Sequence, residues 1–159
     1  MQRAGFTIVE LAVVLGILAT ILGIATINLT TIQHKTYLST TVDTVVADID
    51  KQRIKAMIGE TEGRADHDRY GVYFEIDRYT LFHGSSYSPA ELSNAVVMLD
   101  NNMNFSATTF SQSQVVFNGV SGEINNFVAG NNTVTLLNTV TNEQKTITIN
   151  RYGVITAIN

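Results

Sequence analysis

The feature that most constrains this chain is a long apolar run close to its first residue. Residues 6–27 read FTIVELAVVLGILATILGIATI, and Glu10 is the only charged residue among them. A helix rises about 1.5 Å per residue, so this run is about 33 Å long as a helix and matches a hydrocarbon core of about 30 Å. The run therefore predicts one membrane-spanning helix, with Arg3 on the short flank that stays in the cytoplasm.

The position of Glu10 bears on three interpretations of this segment. A secretory signal peptide has an apolar region of about 7–15 residues before a cleavage site with small residues, and this run is longer than that. A plain membrane anchor accounts for the length but not for a carboxylate at membrane depth, which costs about 2.5–3.5 kcal/mol and by default has a function and a partner. The third interpretation must therefore supply a partner for Glu10.

The third interpretation rests on a family resemblance of the residues around Gly5, and it provides a partner for Glu10. Residues 3–11, RAGFTIVEL, resemble the class III signal of type IV prepilins and pseudopilins. The resemblance implies that prepilin peptidase cuts between Gly5 and Phe6 and that the new N-terminal Phe6 is methylated, while the apolar helix stays in the mature protein. It also implies an assembly role for Glu10, whose carboxylate would neutralise the Phe6 amine of the same or a neighbouring subunit.

Two glycines lie within the apolar run, and their role stays open. Gly16 and Gly23 are ordinary glycines of a membrane helix, or they let neighbouring helices approach closely in a filament. Many major pilins have a proline near the end of this segment, and residues 24–28 contain none. That departure favours a minor pilin or a pseudopilin.

Beyond the apolar run, the sequence pattern predicts an amphipathic helix followed by strands. Apolar residues recur on one helical face to about residue 57, and Gly59 and Gly63 then predict the end of the helix. The apolar stripe consists of Leu38, Val42, Val45, Ile49 and Ala56. Strand patterns follow at residues 70–76, 79–83, 95–99, 114–117, 133–137, 146–149 and 154–158, whereas residues 101–113 look like a polar connection.

These patterns predict an α+β fold in which a long N-terminal helix, with a transmembrane half and an amphipathic half, packs on an antiparallel β-sheet head. The predicted organisation is a prepilin leader at 1–5, a transmembrane and filament-core helix at 6–28, an amphipathic continuation at 29–58 and a β-rich head at 64–159. The strand YGVYF at residues 70–74 and the segment VVFNG at 115–119 resemble minor pseudopilins of the GspH/FimT type. That resemblance implies a pair of small antiparallel sheets packed on the C-terminal half of the helix.

Charge and composition exclude several other classes of function. The chain has 10 Lys/Arg and 14 Asp/Glu; without Arg3 and Glu10, the remaining 9 and 13 leave a mildly acidic domain that disfavours nucleic acid as a partner. In particular, Arg151 and Lys145 are the only cations after Arg78. Cysteine is absent, which excludes disulfides and thiolate chemistry.

Motifs for catalysis or metal binding are weak or missing. No Gly-x-Ser-x-Gly elbow and no phosphate-binding glycine loop occurs, so we predict no catalytic residue, no enzyme activity and no cofactor. Asp66, His67 and Asp68 are metal-ligand types, but adjacent side chains point in different directions, and a solvated turn explains them better than a metal site.

The predicted function is a structural subunit, a minor pilin or pseudopilin, of a type IV pilus or type II secretion pseudopilus. The predicted partners are other pilin or pseudopilin subunits, prepilin peptidase, the pilus assembly machinery and membrane lipid. The prediction places the chain in the cytoplasmic membrane as a single-pass protein, and later in an extracytoplasmic filament. The alternatives are an adhesive or DNA-binding tip or competence pilin, and a lone membrane-anchored domain that is never cleaved.

Overall fold

One helix, α1, occupies the N-terminal part of the chain. The structure, a computed structural model, describes Gly5, residues 7–64 and residues 68–159, with the helical backbone alone at residues 25–36. α1 runs from Ile8 to Ile58 with Thr7 as its N-cap. It ends where Gly59 adopts a left-handed φ of 65°, a conformation that favours glycine, and the Gly59 N–H donates to the Ala56 carbonyl.

The strands of the described residues form two four-stranded antiparallel sheets. Sheet A has the order β3-β2-β1-β5 and contains β1 (Tyr70–Phe74), β2 (Arg78–His83), β3 (Ala95–Met98) and β5 (Gln114–Phe117). Sheet B has the order β4-β6-β7-β8 and contains β4 (Met103–Thr108), β6 (Thr133–Asn138), β7 (Gln144–Ile149) and β8 (Ile155–Ile158). The chain thus leaves sheet A after β3 to form β4 of sheet B, returns to sheet A at β5, and completes sheet B with β6, β7 and β8.

Gly71 sets how closely the inner strands of sheet A and their side chains approach. It lies opposite Phe82 on β2 and opposite Val116 on β5. A Cβ added at Gly71 would lie 2.5 Å from Cζ of Phe82 and 2.6 Å from the carbonyl oxygen of Val115. A side chain at this position would therefore force the strands apart, which explains a glycine inside a buried strand.

The core lies between α1 and the inner faces of both sheets. Every residue of the predicted apolar stripe, from Leu38 to Ala56, is buried. These side chains pack among buried residues from both sheets, such as Val72 and Tyr79 in sheet A and Leu136 and Ile147 in sheet B. Aromatic rings fill the space between the sheets, with Phe105 of β4 edge-on to Phe74 of β1 at 5.2 Å. The two sheets and the second half of α1 therefore share one core.

The predicted fold class is wrong in its helix, to which it gave a transmembrane half. The side chains of α1 are described in two short helical stretches, residues 8–24 and 37–58. No helix among the described residues is long and apolar enough to cross a membrane. The first stretch is apolar and continues beyond residue 24 as described backbone only, and the second carries charges on its outer face. The strands make two four-stranded sheets, where the fold class named a β-sheet head and the GspH/FimT resemblance implied a pair of small sheets.

Strand β4 lies where the sequence predicted a polar connection. Its side chains alternate in part, with Met103 and Phe105 buried, but Asn104, Ser106 and Thr108 hide that signal in a run of small polar residues. Pairing with β6, about 30 residues further along, makes β4 a strand, with a bulge between Phe105 and Ala107. The predicted hairpin at residues 70–83 forms with a longer turn, because β1 ends at Phe74 and β2 begins at Arg78.

Candidate functional site

The first turn of α1 is closed by a reciprocal pair of side-chain hydrogen bonds. The Glu10 N–H donates to Thr7 Oγ1 at 3.2 Å, and Glu10 Oε2 accepts from both the Thr7 N–H and the Thr7 hydroxyl at 2.9 Å. This capping box satisfies backbone donors that a helix start otherwise leaves free. The hydrogen bond from the Thr7 N–H, followed by the bond from its hydroxyl, lowers the pKa of Glu10 from its ordinary value.

The predicted processing site lies just before this turn. Gly5 is exposed, and a Cβ added there would meet no atom within 4 Å, so its backbone is open to an enzyme. Phe6, the predicted site of cleavage and methylation, lies outside the described residues, as does Arg3. The structure thus places Glu10 on its own chain's Thr7 and leaves the predicted contact between Glu10 and the Phe6 amine as a prediction.

Residues 8–24 of α1 form an exposed apolar helix surface. All of these residues are exposed, and the first buried residue described on α1 is Leu38. The large apolar side chains, 47–87% exposed, are Ile8, Val9, Leu11, Val13, Val14, Leu15, Ile17, Leu18, Ile21, Leu22 and Ile24. Because they occupy nearly consecutive positions, they cover every side of the helix, and such a helix is normally buried.

Three smaller residues shape the same surface. Thr20 turns its hydroxyl back onto the Ile17 carbonyl at 2.8 Å, so it presents little polarity to a neighbour. Gly16 and Gly23 have no atom within 4 Å of an added Cβ, and each leaves a gap between larger side chains. The apolar helix surface therefore has two places where another helix could approach the backbone.

The histidine of β2 lies between two carboxylates of the head. His83 Nδ1 is 2.7 Å from Asp68 Oδ2, and its Nε2 is 3.8 Å from Glu91 Oε1. Asp66 and His67, the other members of the predicted turn, lie outside the described residues. Within the described parts of the chain, no group of three or more His, Cys, Asp or Glu side chains is arranged to hold a metal ion.

The cations that could contact nucleic acid near the C-terminus do not converge. The Arg151 side chain is 62% exposed, with Nη2 3.9 Å from Glu123 Oε1 and its guanidinium 5.2 Å from the Tyr152 ring centroid. Lys145 lies on β7 of sheet B, opposite Leu136 of β6. Binding to phosphates needs several cations on one surface, and a single guanidinium beside a carboxylate does not provide them.

The head also contains a polar pocket that sequence reasoning missed. It has a volume of about 160 Å³ and is lined by asparagine, glutamine and serine side chains around Phe110 and Phe127. Three segments far apart in the sequence build it: the loop after β2, the turn before β5 and the stretch between β5 and β6. The only sequence signal was the density of amide and hydroxyl residues around two phenylalanines.

Comparison with known proteins found no relative of this chain. No protein-family model, no curated protein and no solved structure matches this chain. The resemblance of residues 3–11 to a prepilin signal therefore stays a prediction.

Proposed function

We propose that this chain is a structural subunit of an extracytoplasmic filament of the type IV pilus or type II secretion pseudopilus kind. In this proposal the apolar helix surface, residues 8–24, packs against the same surface of neighbouring copies or related subunits. The observation that carries the proposal is the exposure of this whole surface in the single chain. Contiguous apolar patches of this size on a protein surface mark places where another molecule binds.

The distribution of the apolar residues favours several neighbouring helices over a single partner. One partner helix covers one side, whereas here large apolar side chains surround the axis, from Ile8 and Val9 through to Ile24. A helix that is apolar on all sides is stable only when it is surrounded. A bundle of the same helix from several copies surrounds each member, and a filament core is such a bundle.

Glu10 gives such a bundle its register. It is the only charged residue among residues 6–27, and hydrogen bonds to Thr7 already hold its carboxylate at the start of the helix. Cleavage after Gly5 would create an ammonium group at Phe6, and a pair between that group and Glu10 leaves no isolated charge in the apolar core. One buried pair among otherwise apolar helices fixes their relative positions.

A pair of leucine variants tests whether the apolar helix surface drives assembly. Leu15 on α1 is 58% exposed and Leu92 on the head is 99% exposed. Leu15→Glu places a charge inside the proposed bundle and should abolish the sheared filament fraction in cells that carry the assembly machinery. Leu92→Glu is the matched control and should leave filament yield unchanged. Equal filament yield from both variants would contradict the proposal.

The cysteine-free chain allows a direct test of which surfaces meet. A single Leu15→Cys variant has no other thiol with which to pair. Mild oxidation of filaments should yield disulfide-linked dimers from Leu15→Cys and none from Leu92→Cys. The control is oxidation of detergent-solubilised, unassembled Leu15→Cys protein at the same concentration. Dimers in that sample would show that random collision is enough to form the disulfide, and would argue against a filament contact. A Leu15→Cys chain that stays monomeric in oxidised filaments would refute the packing.

A second set of variants distinguishes an effect on leader processing from an effect on filament assembly. Mass spectrometry of the native protein should find Phe6 as the first residue with a methyl group on its amine, and Gly5→Leu should keep the full leader. Glu10→Val should be cleaved normally but be lost from filaments, whereas Glu60→Val, which removes an exposed carboxylate after α1, should assemble. An uncleaved native chain, or normal assembly of Glu10→Val, would overturn the proposed roles.

A further inference from the structure

The polar pocket of the head lies at the outer edge of sheet A, beside β5. Backbone hydrogen bonds hold the stretch between β5 and β6 against β5. The Asn125 N–H donates to the Val116 carbonyl at 2.7 Å, and Ile124 forms a β-bridge with Phe117. The pocket volume of about 160 Å³ is below the roughly 300 Å³ of sites for drug-sized ligands and equals the liquid volume of about five waters. A pocket of this size suits one small ring.

The pocket presents hydrogen-bonding groups that are not used within the protein. Among the described residues, no hydrogen bond within the protein is made by the side-chain amide of Asn125, which is half-buried, or by the exposed amides of Asn126 and Asn131 and the exposed hydroxyls of Ser85 and Ser111. An amide offers donors and acceptors together, and a hydroxyl offers one donor and two acceptors. These groups match a ligand that itself carries several hydroxyls, because each ligand hydroxyl also both donates and accepts.

Apolar side chains complete the pocket on its inner side. Phe110 is 7% exposed and stacks against Phe74 of β1 at 6.5 Å, which anchors it in the core. Phe127 and Val116 line the same pocket. Amide groups at the rim and aromatic carbon at the floor fit a ring with polar edges and C–H faces, which is the surface of a sugar.

The rim of the pocket is held in a strained and cross-linked form. Six non-glycine residues of the described chain have positive φ; two of them, Gln112 at 55° and Asn126 at 54°, line the pocket, and a third, Ser113 at 53°, follows Gln112 directly. Gln114 ties two segments together, since its Oε1 accepts from the Tyr87 N–H and its Nε2 donates to Ser86 Oγ and to Gln112 Oε1. Strained backbone that persists in this way concentrates at binding sites, and a preformed rim lowers the ordering cost of binding.

The charge of the pocket and the coverage of the sheet edge select the ligand class. No charged residue lines the pocket, so it has no partner for a phosphate, a sialic acid or a nucleic acid backbone. A peptide that adds a strand needs a free edge on β5, and residues 124–125 cover that edge.

We propose that this pocket binds one neutral sugar residue, a hexose or an N-acetylhexosamine, at the end of a glycan. This binding would be additional to the filament role and does not depend on it.

Binding is tested on the full chain in a zwitterionic detergent, because sugar-headed detergents would compete for the pocket. Saturation-transfer NMR is recorded with methyl glycosides of glucose, galactose, mannose, N-acetylglucosamine and N-acetylgalactosamine, and with sialic acid and a Ser/Asn-rich peptide as comparators. At least one neutral glycoside should receive saturation, and the two comparators should not. Saturation of none of the five, or of the peptide or sialic acid in their place, would overturn the proposal.

Two substitutions in the pocket and one matched control outside it locate the binding. Asn126→Gly removes an unused amide while glycine keeps the left-handed backbone, and it should weaken binding about three- to tenfold. Asn142→Gly is the matched control: Asn142 has the same φ class, at 57°, but lies in the turn between β6 and β7, and its replacement should leave binding unchanged. Ser111→Trp fills the pocket and should abolish binding, with the circular dichroism spectrum as the check of folding. Unchanged affinity in Asn126→Gly, or equal loss in Asn142→Gly, would refute this assignment.

Discussion

At the start of α1, Thr7 and Glu10 each satisfy a backbone N–H of the other. The carboxylate accepts two hydrogen bonds from Thr7, and these bonds favour its charged form. The positive end of the helix dipole acts in the same direction. A residue that at first looks like an isolated charge in an apolar run therefore has a local partner before any second subunit is present.

We predict that this first turn loosens in acid. Because the pKa of Glu10 is lowered from its ordinary value of 4.5, the carboxylate stabilises the turn above that pH, and this contribution disappears as the pH falls through the lowered pKa. Thr7→Ala removes the hydroxyl donor but keeps the backbone N–H, so the pKa of Glu10 should rise part of the way back. An NMR titration of the Glu10 carboxyl carbon measures both effects.

Thr20→Ala is the control for this titration. Thr20 lies on the same helix, but its hydroxyl bonds to the Ile17 carbonyl and does not reach Glu10. The pKa of Glu10 should therefore be the same in Thr20→Ala as in the native chain. A pKa that does not change in Thr7→Ala would show that the hydroxyl contributes nothing to the shift.

At the scale of single elements, α1 is fixed to sheet A by buried polar contacts as well as by its apolar stripe. Gln52 is 3% exposed, and its Nε2 donates to the carbonyls of Gly71 on β1 and Phe82 on β2 at 2.9 and 3.3 Å. One turn earlier, the Tyr79 hydroxyl donates to Asp48 Oδ2 at 2.6 Å, and burial together with that carboxylate raises the pKa of Tyr79. Such contacts fix the rotation and the height of the helix on the sheet.

We predict that Gln52→Leu destabilises the protein by about 1–3 kcal/mol, because it removes the donor shared by two buried carbonyls. The substitution keeps an apolar stem of similar size, so lost packing is a small part of the effect. Gln144→Leu, at an exposed position on β7, is the matched control and should change the free energy of unfolding by less than about 0.5 kcal/mol. Chemical denaturation followed by circular dichroism compares them, and equal stability of the two variants would contradict the role of Gln52.

At the scale of the whole molecule, both sheets depend on one face of α1. The helix contacts β1 and β5 of sheet A and β6 and β7 of sheet B. Val45 and Ile49 have no exposed surface and lie in the same core as residues from both sheets. The head and the second half of α1 should therefore unfold as one cooperative unit, while residues 8–24 make no part of this core.

We predict that Ile49→Ala costs about 2–5 kcal/mol, the range for removing a large buried aliphatic side chain. Ile54→Ala is the matched control on the same helix, since Ile54 is 53% exposed, and it should cost less than about 0.5 kcal/mol. Amide hydrogen exchange should accelerate in sheets A and B together in Ile49→Ala. Acceleration confined to one sheet would show that the two sheets do not share a cooperative core.

Local patterns predicted the parts of the fold that depend on neighbours in the chain. The stripe from Leu38 to Ala56 follows helical spacing and is the buried face of α1, and Gly59 ends the helix as its conformational freedom predicts. The strands β6 and β7 follow from alternating apolar residues. The predicted transmembrane half is wrong for the described residues, among which no helix is long and apolar enough to cross a membrane.

By itself, the sequence determined where α1 carries its apolar residues, where it ends and that Glu10 is the single charge in residues 6–27, because these are properties of composition and period. Only the tertiary structure decided which strands share each of the two sheets, that the polar segment at Met103–Thr108 is a strand and that polar side chains from three distant segments surround one pocket. Those features depend on contacts between residues far apart in the chain, and no local pattern records which distant segments will meet.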